Sequence, residues 1–555
     1  MRYALLQLSR GALRVAPVSS RDSGASIIVL CLLCFLAPGI SGCTKRAPSS
    51  AAPEQILRVS QRNEPADLDP ATAALPDEFF IIRALSEGLV SPTADGNTVE
   101  PAAAERWEFS ADGLTCTFHL RSDAFWSNGE PVTAQDFADS YRRLLTPATA
   151  ASKASLFFMV KNARAFASGA IADFSAVGIR AADAHTLVIS LDRPMPRFLS
   201  YAASGPWIPV NPRVVAKAGR AWTRPENYVG NGPFVLAEWR PHQRIVVKKN
   251  PRYHATTSVQ LDAIHFIAFD NGDTEERAFR AGQIDITMAV PITKLESYAR
   301  ERPAELRRTP LAETRYLTFN TMHPPLNDTR VRRALALAID RDLIVDRVTR
   351  GGQQPASRFI PPTLANSNPP TSDLHHDPTA ARQLLAAAGF ADGKNFPRLE
   401  LTAWSPSQSP VIEAVQAMWR KELGLDIAVA IRDAKVHLAA LRSGDYDIAF
   451  ATTATLTDVM DPLALLENFA RNSANNHARW DSPDFDRVLA SAAAAGDLRV
   501  RSASLAEAES LLLEAAPVAP VYFNNHNFLI SPRVHGWRED PLWARNYLGV
   551  YLVEK

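Results

Sequence analysis

The stretch that decides the fold is residues 101–137, PAAAERWEFSADGLTCTFHLRSDAFWSNGEPVTAQDF. Within it, residues 114–120 alternate apolar and polar side chains, the period of two that is typical of a β-strand with one buried face. The pair Asn128-Gly129 follows and favours the positive-φ geometry of a tight hairpin turn. The stretch therefore predicts a strand and a turn, with Cys116 on the strand as a buried, inert thiol.

Strands and helices continue to interleave along the rest of the chain. Alternating hydrophobicity predicts further strands at residues 186–191, 244–248, 264–269 and 399–403. A helical period predicts one helix over residues 328–350, with Gly351 as its stop, and another that begins at Asp377-Pro378 and ends at Gly389. This interleaving indicates an α/β chain.

A short internal repeat favours two lobes built on related plans. Residues 280–286 are RAGQIDI and residues 442–448 are RSGDYDI. Each copy predicts a helix end, a glycine able to take positive φ, and a strand that enters an apolar core. Because the copies lie far apart in the chain, we expect one in each lobe.

Residues 1–42 have the pattern of a signal peptide. Four arginines against Asp22 give them a net charge of +3, and an uncharged apolar run follows at residues 26–40. That run is too short to span a bilayer, which takes about 20 apolar residues. The small residues before Cys43 resemble a lipobox, in which the cysteine is acylated and becomes the mature N-terminus. A plain cleaved signal with an incidental cysteine is the alternative. Residues 43–53 predict a flexible tether.

Composition and motifs exclude several classes of function. The chain is 46% apolar and 21% charged with a net charge of +1, which argues against nucleic-acid binding. It has no G-x-S-x-G elbow, P-loop, G-x-G-x-x-G or H-E-x-x-H motif. The cluster His375-His376-Asp377 stands immediately before a helix cap, which favours solvated loop histidines over a metal site. The sequence therefore predicts a protein that is not an enzyme and that has no metal and no cofactor.

Further blocks of sequence occur in an order that identifies a family. They are EPADLDP (64–70), EGLV (87–90), WTRPENYVGNGPFVLAEW (222–239), NPRYH (250–254), AGQIDIT (281–287), PPLNDTRVRRALALAIDRDLIV (324–345) and PVAPVYF (517–523). Together with residues 101–137 they resemble the bacterial oligopeptide- and dipeptide-binding proteins, extracellular solute-binding protein family 5 of the peptide ABC transporters. The similarity extends over essentially all of the chain after the tether.

The resemblance implies a bilobal, type II periplasmic-binding-protein-like α/β fold with an extra subdomain in the first lobe. Residues 54–90, 206–310 and 523–555 then form the first lobe. The subdomain takes residues 91–205, and the second lobe takes residues 311–522.

The resemblance also implies a site for the amino group of a peptide. In relatives that bind peptides, this group meets a buried aspartate a few residues before a proline, in the segment after a second-lobe strand. Asp458 holds the matching position, and a surface or capping aspartate is the alternative. An ammonium removed from water needs such a charged partner. Thr455, Leu456 and Thr457 are then expected to pair with the peptide backbone.

Three more residues complete the expected site. Ala74 and Leu75 are expected to offer the backbone edge of the other lobe. Trp404, at the end of the strand at residues 399–403, is expected either to line a side-chain pocket or to pack in the core.

The chain departs from general oligopeptide binders near Asp458. Those proteins carry a tryptophan and a cysteine where this chain has Thr455 and Leu456, and an arginine where it has Phe450. The segment between strand and aspartate is also longer by about two residues. Since fold does not fix ligand, a narrower or different ligand preference remains open.

We therefore expect a monomeric, lipid-anchored, extracytoplasmic binding protein that captures peptides between two lobes. It is expected to deliver them to an ABC permease driven by a separate ATPase. One alternative keeps the scaffold and binds a metal chelate, haem or glycan. Another is a surface adhesin or receptor without a transport role. The residue after Cys43 is Thr44 rather than the aspartate that is associated with retention in the inner membrane, so the sequence leaves open which membrane holds the protein.

Overall fold

The computed structural model describes residues 54–62, 64–93, 96, 98–364, 369–454 and 459–554. The predictions for the signal peptide (1–42), the tether with Cys43 (43–53) and the segment 455–458 lie outside these residues. That segment contains Thr455, Leu456, Thr457 and Asp458.

The strands form several sheets. They are β1 (Ile56–Gln61), β2 (Val90–Pro92), β3 (Val99–Pro101), β4 (Ala104–Phe109), β5 (Thr115–Leu120), β6 (Ile179–Ala181), β7 (Thr186–Ser190), β8 (Phe234–Arg240), β9 (Arg244–Lys249), β10 (Ala263–Ala268), β11 (Leu306–Phe319), β12 (Gln354–Pro355), β13 (Glu400–Ala403), β14 (Ala428–Ile431), β15 (Ile448–Thr452), β16 (Val518–Leu529), β17 (Val534–His535) and β18 (Tyr551–Leu552).

The helices alternate with these strands, as expected for the α/β class. They are α1 (Pro76–Leu85), α2 (Ala134–Leu145), α3 (Ala163–Ala167), α4 (Phe198–Ala202), α5 (Pro212–Ala218), α6 (Gly272–Arg280), α7 (Leu295–Glu301), α8 (Thr329–Leu337), α9 (Arg341–Leu343), α10 (Pro378–Ala387), α11 (Ser409–Leu423), α12 (Ala434–Ser443), α13 (Pro462–Leu466), α14 (Pro483–Ala494) and α15 (Leu498–Ala515). Within the described part of the chain, no helix is both long and apolar enough to cross a membrane.

Three large apolar cores organise these elements. The first core gathers around Leu57, Phe266 and Tyr547 and lies on a sheet of strand order β1-β10-β9-β8. The second core includes Phe118 and Trp207 and lies on the sheet β4-β5-β7-β6. The third core is the largest and lies on the mixed sheet β12-β16-β11-β15-β13-β14, with Phe450 and Trp419 among its members. The chain boundaries of the two lobes and the subdomain remain predictions.

Strands β11 and β16 connect the cores. Their outer halves pair antiparallel, Leu306 opposite Leu529, and Leu529 packs with Phe279 and Tyr298 in a small cluster beside the first core. Their inner halves pair Leu317 with Ala519 inside the third core. The register shifts between Pro310 and Thr314. Such an irregularity bends a strand pair and raises its twist.

The predicted strands are confirmed. Those at residues 114–120, 186–191, 244–248, 264–269 and 399–403 correspond to β5, β7, β9, β10 and β13, with ends displaced by a residue or so. Cys116 lies on β5, is fully buried, and has its thiol pKa raised to about 12 by burial. The predicted buried thiol is therefore confirmed. Gly129 adopts φ 93° in the expected turn.

The single helix predicted over residues 328–350 is wrong. The α8 segment stops at Leu337, and Asp340 begins a new helix by accepting the N–H of Leu343 at 2.9 Å. The residue that takes the left-handed conformation at the end is Arg350, at φ 52°, rather than Gly351. The helical period of the sequence does not reveal this break, because the apolar residues before and after it pack in the same core.

Both copies of the internal repeat have the predicted helix end and positive-φ glycine, at Gly282 and Gly444. Only the second copy continues into a strand, β15. In the first copy Ile286 forms isolated bridges to Val59 and Ile530. The other predicted helix is confirmed: Asp377 caps α10 through the N–H of Ala380, and Gly389 ends it at φ 96°.

Candidate functional site

Residues of α1 and residues on either side of the segment 455–458 line a common cavity. Its volume is about 70 Å³, and it opens to solvent. Residues from distant parts of the chain line it: Pro76, Phe79, Phe80, Arg83, Pro92, Gly96, Thr98, Val99, Ser200, Ala203, Ser204, Gly205, Ala454, Met460, Asp540, Leu542, Trp543 and Ala544. Ala454 and Met460 lie on either side of the segment that contains Asp458. A residue predicted from sequence to bind ligand is thus bracketed in the chain by residues that line a cavity.

The start of α1 is fixed by one carboxylate. Glu78 is buried, and its side chain accepts the N–H of Ala74 at 2.8 Å and that of Leu75 at 3.0 Å. The N–H of Ala66 donates to its other oxygen at 3.2 Å. Ala74 and Leu75 are exposed, and their role at the edge of a ligand site stays a prediction. Glu78 therefore occupies both amides, and the carbonyl of Leu75 accepts the N–H of Glu78 at 3.2 Å.

A buried ion pair holds the chain beyond Asp458. Asp461 is fully buried and lies 2.8 Å from Nη2 of Arg501. Its carboxylate also accepts the N–H of Leu463 at 3.1 Å, which starts α13. Val459 packs in the second core although it follows a strand of the third. The segment after Asp458 therefore contacts both cores.

Hydrogen bonds also hold the chain before this segment. The N–H of Thr314 on β11 donates to Oγ1 of Thr453 at 2.9 Å, and the N–H of Thr453 donates to the carbonyl of Thr314 at 3.1 Å. Beside them, Glu313 accepts from Thr452 at 2.5 Å and from Nδ2 of Asn524 at 2.8 Å. The end of β15 is thus attached to the irregular region of β11 and β16.

Trp404 has a partly buried ring that packs on the third core, near Phe450 at 6.2 Å between centroids. The guanidinium of Arg315 lies 5.4 Å from its ring centroid, within range of a cation–π contact. Arg315 also lies 2.6 Å from Glu313. Trp404 is not among the residues that line the cavity at α1, and its role in a ligand pocket stays a prediction.

The cavity contains residues that sequence reasoning missed. Phe79 and Phe80 sit side by side on α1, and Leu542 and Trp543 follow Asp540 near the C-terminus. Burial raises the pKa of the Asp540 carboxyl, while the N–H groups of Leu542 and Ala544 oppose the rise. The adjacent Phe79 and Phe80 stand out in the sequence, but the hydrophobic pattern around them does not distinguish residues that line a cavity from residues that pack in a core.

The histidine cluster before α10 has ordinary partners. His375 lies 2.6 Å from Asp373, and both side chains are largely exposed. Among the residues that the structure describes, no group of three His, Cys, Asp or Glu side chains is arranged to hold a metal ion.

Known proteins resemble this chain over most of its length. Residues 98–477 match the bacterial extracellular solute-binding proteins, family 5 (middle). The probable deoxycholate-binding periplasmic protein YgiS of Escherichia coli K12 is 34% identical over 501 residues, which cover 88% of this chain and 92% of that protein. The periplasmic murein peptide-binding protein MppA of the same organism is 33% identical, with coverage of 91% and 94%.

Solved structures agree with the fold. The murein tripeptide-binding protein MppA superposes with a TM-score of 0.82 at 32% identity, covering 91% of this chain and 99% of that one. Haemophilus influenzae OppA in complex with RPPGFSPFR gives a TM-score of 0.80 at 30% identity, with coverage of 90% and 99%. The type II periplasmic-binding-protein fold expected from the sequence is therefore confirmed. The chain belongs to the bacterial extracellular solute-binding proteins, family 5, and is a binding protein rather than an enzyme.

Proposed function

We propose that this protein captures peptides between two lobes outside the cytoplasm and delivers them to an ABC importer. One observation carries the proposal: residues of α1, residues between 540 and 544, and Ala454 and Met460, which flank the segment of Asp458 in the chain, line one cavity. A concave site between separate cores, with mostly apolar walls and few charges, suits a small ligand. The peptide-binding relatives support the choice of ligand.

In this proposal Asp458 binds the ammonium of the peptide. Its flanks support a fixed position, since Thr453 is hydrogen-bonded to β11 and Asp461 is paired with Arg501. Thr455, Leu456 and Thr457 pair with the peptide backbone, and Ala74 and Leu75 offer the backbone edge of the other lobe. Main-chain pairing of this kind gives affinity without dependence on side-chain identity.

Ligand capture then requires movement of the lobes. The proposed lobes are residues 54–90, 206–310 and 523–555 for the first and residues 311–522 for the second, with a subdomain at 91–205. The paired strands β11 and β16 run between the cores, and the register shift between Pro310 and Thr314 supplies an irregular point for bending. A ligand that contacts both lobes shifts the population toward the closed form.

Cys43 is proposed as the lipid anchor, with residues 44–53 as a tether between membrane and lobes. Transport is proposed to use a separate permease and ATPase, because the chain has no P-loop with which to bind and hydrolyse ATP. We propose that the protein acts as a monomer.

A second candidate ligand is an apolar acid rather than a peptide. The observation that favours it is the pairing of aromatic walls, Phe79, Phe80 and Trp543, with the guanidinium of Arg83 in the same cavity. The relative named as a probable deoxycholate-binding protein is consistent with such a ligand on this scaffold.

The experiment that tests the proposal is native mass spectrometry of the purified chain without residues 1–53, before and after denaturing release. Co-purified peptides of mixed sequence with free N-termini are expected. A single homogeneous non-peptide ligand would overturn the peptide assignment. If the protein is empty, titration with defined peptides and their N-acetylated twins decides, because acetylation removes the charge that Asp458 is proposed to bind.

A further inference from the structure

The cavity has an aromatic wall made by Phe79, Phe80, Met460, Leu542 and Trp543, here called the aromatic wall. Phe79, Phe80 and Met460 are at most 7% exposed, so their conformations are set by packing. Phe79 packs against Gly205, where an added Cβ would lie 2.2 Å from its ring. Only a glycine lets the ring occupy this position at the edge of the cavity.

Trp543 is held in a conformation that a large side chain rarely adopts. Its φ is 61°, in the left-handed region, which disfavours residues with a bulky Cβ substituent. The indole meets Phe80 edge-on, with centroids 5.4 Å apart, and meets His526 at 5.0 Å. Strained conformations of this kind persist where the surroundings enforce them, and they concentrate at ligand sites.

The turn that presents Trp543 is ordered by Asp540. Its Oδ1 accepts the N–H of Leu542 at 2.7 Å and that of Ala544 at 3.4 Å. Arg545 follows in the same segment, and its guanidinium lies 4.2 Å from the ring centroid of Phe80 on α1; Arg545 is not among the residues that line this cavity. The aromatic wall is therefore supported by groups that do not themselves need to touch a ligand.

We propose that the aromatic wall is a specificity subsite for a bulky apolar or aromatic side chain at one of the first two positions of the peptide. The inference rests on the proposed peptide function, and it names the ligand class. The first two peptide positions are chosen because Met460 of the aromatic wall, and Ala454 of the same cavity, lie close in the chain to Asp458, the proposed ammonium site. Burying an aromatic side chain against a preformed apolar surface is favourable, whereas a charged side chain loses hydration against the five side chains of the wall, none of which carries a charge.

The test is calorimetric titration of the wild-type chain with Ala-Ala-Ala, Phe-Ala-Ala, Ala-Phe-Ala, Lys-Ala-Ala, Ala-Lys-Ala, Glu-Ala-Ala and Ala-Glu-Ala. We expect at least one phenylalanine peptide to bind roughly tenfold or more tightly than Ala-Ala-Ala, and the lysine and glutamate peptides to gain nothing. Equal affinity for the phenylalanine and alanine peptides overturns the aromatic subsite and leaves the peptide function standing. If none of the peptides binds, the proposed function fails and the inference fails with it.

Two variants locate the effect on the indole. Trp543→Ala should abolish the preference for phenylalanine peptides over Ala-Ala-Ala. Trp543→Gly relieves the left-handed strain and should give the same loss, which separates the ring from the backbone conformation. Phe109→Ala, at an aromatic that is 41% exposed and outside the cavity, should keep the preference. A preference that survives both Trp543 variants overturns the proposal.

Discussion

Thr314 and Thr453 are joined by two hydrogen bonds, although 139 residues separate them. The N–H of Thr314 reaches Oγ1 of Thr453 at 2.9 Å, and the N–H of Thr453 reaches the carbonyl of Thr314 at 3.1 Å. Both residues are fully buried. The pair connects the irregular part of β11 to the end of β15, and Asp458, the proposed ligand residue, follows Thr453 in the chain.

Replacing the Thr453 hydroxyl should destabilise the protein. In Thr453→Val the shape is kept but the buried N–H of Thr314 loses its acceptor, which should lower the free energy of unfolding by about 1–3 kcal/mol. Urea unfolding followed by circular dichroism measures this, with the exposed Thr72→Val as the matched control. A change within about 0.5 kcal/mol, the range of ordinary surface substitutions, would show that another group or a water satisfies the amide.

Asp458→Asn should weaken binding of peptides with a free N-terminus by roughly tenfold or more, because a charge-assisted hydrogen bond becomes a neutral one. Titration calorimetry with a peptide and its N-acetylated twin checks this. The acetylated peptide should bind the wild type weakly, and its affinity for the variant should be little lower. Unchanged affinity for the free peptide would remove Asp458 from the site and leave the fold assignment intact.

Breaking the pair between Asp461 and Arg501 should be costly. Asp461→Ala leaves a guanidinium buried without its partner and removes the cap of α13, so we expect a loss of about 3–5 kcal/mol in the free energy of unfolding. The double variant Asp461→Leu with Arg501→Met should recover much of that loss, since it leaves no unpaired charge. If the losses of Asp461→Leu alone and Arg501→Met alone sum to the loss of the double variant, direct coupling of the two side chains is contradicted.

Glu509 should make stability depend on pH. It is fully buried on α15, and Oε1 accepts the N–H groups of Phe359 and Ile360, both at 2.7 Å. Burial raises its pKa to about 7, while those two amides and Arg358 oppose the rise. Because the folded state favours the protonated form, this contribution to stability is present below the ordinary pKa of 4.5 and is lost as pH rises to about 7.

The check is the free energy of unfolding of wild type and Glu509→Gln between pH 4.5 and 8. The neutral amide keeps an acceptor for the two N–H groups. As pH rises over this range, the free energy of unfolding of the variant should therefore increase relative to that of wild type by about 2–3 kcal/mol. Parallel pH profiles for the two proteins would contradict the raised pKa.

Local sequence signals predicted some of the individual elements. Alternation located β5, β7, β9, β10 and β13, and the Asp377-Pro378 cap located the start of α10, because these patterns arise from contacts within a few residues. The break between α8 and α9 was missed. The capping aspartate Asp340 was present, but the apolar period continues across it into the same core.

The sequence by itself determined the family, the α/β class and the position in the chain of a proposed ligand segment, because ordered motifs and local periodicity are properties of neighbouring residues. Only the tertiary structure brought Phe80 to Trp543 and Thr314 to Thr453, and only it turned Phe79 and Phe80 into the wall of a cavity. The physical reason is that packing between distant segments depends on the shape and burial of the whole chain, on which local periodicity carries no information.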